Sequence, residues 1–217
     1  MPFFWTNFNF MFEDHPIFKK SIQYIRTEIG PHQFNNLEKE VLERLIHTSG
    51  DFHIKSLLKF SKDACEVAIK ALRLGAPILT DTEMAAAGIK SMAKKTHNNL
   101  VLPVGKWFNS DAQYKTTKTA YCVEQAWLEL SQKFVKDRSP IVVFGSSPTA
   151  LEKLMDILDD SKDKPTLVVG MPVGFIGVER SKIRLLESLY NYIVVDSTRG
   201  GAAMAAATVN ALLRSSI

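Results

Sequence analysis

Ile141-Val142-Val143-Phe144-Gly145-Ser146-Ser147-Pro148-Thr149 decides how this chain folds. Four apolar residues in a row, bounded by turn residues, read as a strand buried on both faces, the habit of parallel sheets. A helical pattern follows over residues 149–158. Working outward, the same unit recurs. Apolar runs at residues 77–79, 100–104, 167–169 and 192–195 read as further buried strands, and helical patterns occupy 83–92, 117–135, 179–189 and 202–213. This alternation predicts an α/β chain: a three-layer α/β/α domain on a mostly parallel five-stranded sheet.

Helices precede the sheet. One covers residues 17–29 and stops at Gly30-Pro31. Asn36 can cap a second, whose apolar stripe is Leu37, Val41, Leu42, Leu45 and Ile46, and Gly50 ends it. A third lies near residues 62–74. With no internal repeat and no flexible linker, the 217 residues are expected to form one domain. Residues 1–16, rich in phenylalanine, are either an aromatic arm for a partner subunit or the edge of the core.

Composition narrows the function classes. Hydrophobic residues at 46% and charged residues at 23% exclude a disordered chain. No apolar stretch is long enough to span a bilayer, and the N-terminus lacks the basic region of a secretory signal. Cytoplasm is therefore the expected compartment, with no membrane partner. Cys65 and Cys122 stand far apart, which supports neither a disulfide scaffold nor a cysteine zinc site. The five histidines form no His-Glu-x-x-His pattern, so no protein-held metal is expected. Between residues 85 and 123 six lysines (90, 94, 95, 106, 115 and 118) face one acid, Asp111, a skew that can draw an anionic ligand or simply form a solvated face. No basic helix with interleaved aromatics accompanies them, so nucleic acid is not an expected partner.

In open α/β sheets, ligands bind beyond the carboxyl ends of the strands. Three loops there are rich in small residues: Gly145 and Ser146 in the first, Gly170 and Gly174 in the second, Arg199, Gly200 and Gly201 in the third. Each precedes a helix, so free backbone N–H groups can meet carboxylates or phosphates, and glycine permits close approach. No dinucleotide or phosphate-loop motif is present, and Gly145-Ser-Ser-Pro-Thr149 lacks the second glycine of a Gly-x-Ser-x-Gly elbow.

His47 is the leading titratable candidate. It lies off the apolar stripe, on the flank with Glu40, Glu43 and Arg44, in the last turn before Thr48-Ser49-Gly50. Helix-end carbonyls favour a cation there, the form a proton donor needs. A histidine that merely complements the helix dipole has the same signature, and these residues alone leave both readings open.

Longer blocks carry more. Ile17-Phe18-x-x-Ser21-Ile22, His47-Thr48-Ser49-Gly50-Asp51, Gly75-Ala76-Pro77-Ile78-Leu79-Thr80-Asp81-Thr82-Glu83-Met84, Pro148-Thr149-Ala150-Leu151, Gly170-Met171-Pro172-Val173-Gly174-Phe175, and Arg199-Gly200-Gly201 with Met204 resemble the precorrin-8X methylmutase family, from about residue 17 to 213. The resemblance implies a flavodoxin-like fold, a homodimer with its site near the interface, and no cofactor. It implies an isomerase of cobalamin biosynthesis that moves a methyl group between adjacent ring carbons of a corrinoid precursor, giving hydrogenobyrinic acid or its cobalt form. By the same resemblance His47 is the catalytic acid, and Ser21, Lys90, Thr117 and Lys118 contact the tetrapyrrole. Lys118 replaces a commoner arginine, Arg180 a common glutamate before Ser181-Lys182, and Ala202 a usual serine. The alternative of another class is a corrinoid-binding or carrier protein without catalysis.

Overall fold

The computed structural model describes residues 14–111, 113 and 115–217; the aromatic segment at the N-terminus falls, but for its last three residues, outside them. Helix α1 (Pro16–Ile29) and helix α2 (Asn36–Ser49) open the chain. The cap of α2 is Asn35 rather than Asn36. Its side chain accepts from Glu38 N while the Glu38 carboxylate accepts from Asn35 N, closing a reciprocal capping box. A short helix α3 (Ile54–Leu57), strand β1 (Leu58–Phe60) and helix α4 (Ala64–Arg73) follow.

The alternating part is β2 (Ile78–Thr80), α5 (Glu83–Lys95), β3 (Val101–Pro103), α6 (Lys118–Lys133), β4 (Ile141–Phe144), α7 (Pro148–Asp159), β5 (Leu167–Gly170), α8 (Val178–Leu186), β6 (Tyr192–Val195) and α9 (Ala202–Ser215). Among the described residues six strands join in the order β1-β6-β5-β4-β2-β3. Five are parallel, and the chain order among them, 2-1-3-4-5, is the flavodoxin-like one. The sixth, β1, was not anticipated. It runs antiparallel against β6, pairing Leu58 with Val195 and Phe60 with Ile193. Three residues directly after a helix are too few to show a strand period.

Side-chain alternation along the buried strands divides the core into two layers. Ile141 and Val143 face α1, α2, α4, α5 and α9, whereas Val142 and Phe144 face α6, α7 and α8. Cys65 and Cys122 are buried as free thiols, one in each layer. Among the described residues no helix is long and apolar enough to cross a membrane.

Candidate active site

Helices α1 and α2 are clamped by a buried charge. Glu43 is 1% exposed, and its two oxygens receive Arg26 Nε at 2.7 Å and Arg26 Nη2 at 2.8 Å. Its burial corrects the sequence-based picture of a polar flank, since only a paired carboxylate is tolerated there. The clamp sets α1 across the C-terminal end of α2. Ser21 Oγ then lies 2.9 Å from His47 Nδ1, and the Phe18 ring stands edge-on to the imidazole at 5.0 Å between centroids. Arg44 covers the Phe18 ring at 4.3 Å. His47 itself is exposed. When both ring nitrogens are protonated, Nδ1–H donates to Ser21 and Nε2–H remains for a substrate.

Arg199 is brought to the same end of the molecule. Its guanidinium pairs with Asp51, four residues beyond His47, and Asp51 also caps the following turn by accepting from His53 N at 2.9 Å. Beneath the Arg199 loop lies Lys182, with no exposed surface, donating to the Ser197 and Arg199 carbonyls. Sequence reasoning gave Lys182 no role. Its signal was present, because Val178, Ser181, Lys182 and Leu185 form the i, i+3, i+4, i+7 buried stripe of α8 while Ile183 is exposed.

The Gly145 loop behaves differently from expectation. Its backbone N–H groups are not free for a ligand: Gly145, Ser146 and Ser147 donate to one oxygen, Oδ2 of Asp81, at 3.1, 2.6 and 2.9 Å. Asp81 is 5% exposed, and its Oδ1 is buried without a donor among the described residues. Burial lifts its carboxyl above the usual range, opposed by these three bonds. β2 and β4 border the point where the strand order reverses, the usual ligand crevice of this topology. Here that crevice holds the chain's own carboxylate.

Beside it, Thr117 caps α6 and meets Thr149 Oγ1 at 2.8 Å, which in turn meets Ser147 Oγ at 3.1 Å. Thr117, Gly145 and Ser146 are thus drawn together. Lys118 places its ammonium 3.7 Å from the Phe108 ring centroid. Lys90 is half exposed on α5, 3.9 Å from Glu83, and none of these bonds ties it to the other candidates.

The glycines are needed chiefly where chain meets chain. A Cβ on Gly145 would fall 2.6 Å from Ala202 Cα, and one on Gly170 would fall 2.7 Å from Leu185 Cδ2. Gly174 (φ 145°) donates to the Thr198 carbonyl, and Gly201 (φ 120°) donates to that of Met171. A Cβ on Gly200 would lie 2.1 Å from the Met171 carbonyl oxygen, a backbone atom that cannot swing away. Gly200→Ala is therefore expected to cost about 1–3 kcal/mol, read as a lower urea midpoint with unchanged slope.

A cavity of about 730 Å³ is lined by Phe34, Phe52, Lys55 and Phe60 among others, and none of the expected site residues is part of its lining. His47 and Arg199 are instead exposed at the surface.

Against known proteins, the family model described as precorrin-8X methylmutase matches residues 16–215. The chain belongs to the precorrin-8X methylmutase family. Within that family it is 32% identical to the cobalt-precorrin-8 methylmutase of Synechocystis sp., over 92% of this chain and 95% of the relative. It is 31% identical to the precorrin-8X methylmutase of Sinorhizobium sp., over 95% and 97%. The solved precorrin-8X methylmutase of Thermus thermophilus superposes with a TM-score of 0.81 at 31% identity, covering 93% of this chain and 98% of that one.

Proposed function

We propose that this chain is the isomerase its family name describes, moving a methyl group within precorrin-8X or its cobalt-containing equivalent in cobalamin biosynthesis, with His47 as general acid. The observation that carries the acid is the bond between His47 Nδ1 and Ser21 Oγ, which leaves the other ring nitrogen, Nε2, for a substrate on an exposed residue. In the reaction, the bond from a ring carbon to its methyl breaks as the bond to the adjacent carbon forms. A proton lent to a ring nitrogen draws electrons toward that nitrogen and favours the shift. Ser21 holds the imidazole plane, and Phe18 limits its tilt.

The surroundings suit a flat macrocycle edged with carboxylates. Ile17 and Tyr24 lie one turn to either side of Ser21 and are 71% and 61% exposed, and Phe52 meets the Tyr24 ring. These apolar side chains offer contact area to a ring face, while Arg199, Lys118, Thr117 and Lys90 supply charge and hydroxyl donors for its carboxylates. The glycines of the three loops act by letting those loops pack. An acid on an open, apolar-bordered surface needs covering to exclude water, and a second copy of the chain in a homodimer supplies that cover. The whole chain is taken as one cytoplasmic domain, requiring no cofactor for an internal rearrangement.

Incubation with precorrin-8X, followed by absorption, tests the reading. Conversion to hydrogenobyrinic acid without added S-adenosylmethionine is expected. Binding of the pigment with no spectral conversion would make the chain a carrier.

A further inference from the structure

Lys182 is a buried cation for which the proposed chemistry has no use. It lies on the inward stripe of α8 with no exposed surface, and its Nζ donates to the Ser197 carbonyl at 2.7 Å and the Arg199 carbonyl at 2.6 Å. Burying an ammonium is costly, and a core position between Val178 and Leu185 would be filled more cheaply by leucine or methionine. What the ammonium does is turn two carbonyl oxygens of the loop inward. Those oxygens would otherwise present negative ends to an incoming carboxylate. The same loop is fixed from its other side by Gly201 N on the Met171 carbonyl at 2.9 Å and by Arg199 N on Ser197 Oγ at 3.1 Å. Arg199 is left reaching outward to Asp51, just beyond the helix of His47.

We infer that Lys182 is a positioning residue for substrate binding: it folds the carbonyls of residues 197 and 199 away from the crevice and sets positive charge beneath the Arg199 loop, preparing that loop for a carboxylate of the tetrapyrrole. The inference rests on the isomerase reading for its ligand. Burial pushes the Lys182 ammonium down to about 8 from the usual 10.5, against the pull of Asp196 at the end of β6 and Glu179 on its own helix. The remaining charge bonded to this loop is Arg199, answered by Asp51. A polyanion over the loop favours the protonated amine, so binding takes up a proton and affinity falls as pH rises past about 8. Stability moves the other way. Between about 8 and 10.5 the unfolded chain keeps a proton on this residue that the folded chain has lost, so through this group the fold gains stability as pH rises. Weakened binding in that interval therefore does not come from this group destabilising the fold.

The test titrates the full-length protein with hydrogenobyrinic acid by absorbance, from neutrality into the alkaline range, for wild type, Lys182→Met and Lys182→Arg. Wild type is expected to lose affinity past about pH 8. Lys182→Met should bind about tenfold more weakly at neutral pH, the order of one lost charge-assisted hydrogen bond, and should lack the alkaline decline. Lys182→Arg should keep the neutral affinity and move the decline to higher pH. If Lys182→Met does not fold, wild type and Lys182→Arg decide: an alkaline decline left in place by arginine overturns the inference. Unchanged affinity and decline in a folded Lys182→Met overturn it as well. A wild-type protein that binds no hydrogenobyrinic acid overturns the isomerase reading with it, whereas binding indifferent to Lys182 overturns this inference alone.

Discussion

Replacing His47 by alanine is expected to lower turnover of precorrin-8X by about 10²–10⁴-fold, the usual worth of a positioned general acid, while hydrogenobyrinic acid still binds. The two effects separate because of where His47 sits. Its imidazole is exposed at the end of α2, bonded through Nδ1 to Ser21 and touching Phe18, so its removal opens no core cavity. The groups proposed to meet the rim carboxylates, Arg199 and Lys118 among them, stand on other elements and remain in place. Single-turnover absorption measures the chemical step, and a ligand titration measures the binding. Ser21→Ala should fall between wild type and His47→Ala, since the acid survives without its orienting partner. A fully active His47→Ala would remove the acid assignment and leave the family's chemistry to another residue.

Asp81→Ala should be the most damaging change away from the reacting groups, lowering stability by about 2–4 kcal/mol. Three backbone N–H groups that converge on Oδ2 lose their acceptor, at about 1–3 kcal/mol for each that stays dry and unmet. The removed carboxylate was itself buried, so part of that loss is offset by its own relieved desolvation. For a chain of this length the midpoint of thermal unfolding should drop by roughly 5–15 °C. Asp81→Asn keeps one acceptor oxygen and should lose less. A calorimetric midpoint within a degree or two of wild type for Asp81→Ala would mean that water enters and satisfies the loop.

Sequence reading reached the layers and the parallel strands because their signals are periodic. Buried β-branched runs such as 141–144 and 192–195 separated by amphipathic helices leave little freedom of topology. Strand β1 escaped because pairing with β6 is a long-range event imposed on three residues of no marked pattern. The site shows the same division. His47 could be singled out by its place at a helix end, yet its bond to Ser21 depends on how α1 crosses α2, and that crossing is set by Arg26 meeting a buried Glu43. Glycines at strand ends suggested an open cradle for anions. The composition of a loop does not reveal whether its N–H groups are already taken, and Asp81, 64 residues from Gly145, takes them.

That internal carboxylate also bears on which metabolites the fold turns away. Among proteins of this topology the notch between the two central strands is where phosphate-bearing nucleotides settle, drawn by unspent donors. In this chain the donors of that notch are already committed to a buried carboxyl group. A phosphate-bearing nucleotide is therefore offered none of the three N–H groups that Asp81 already holds.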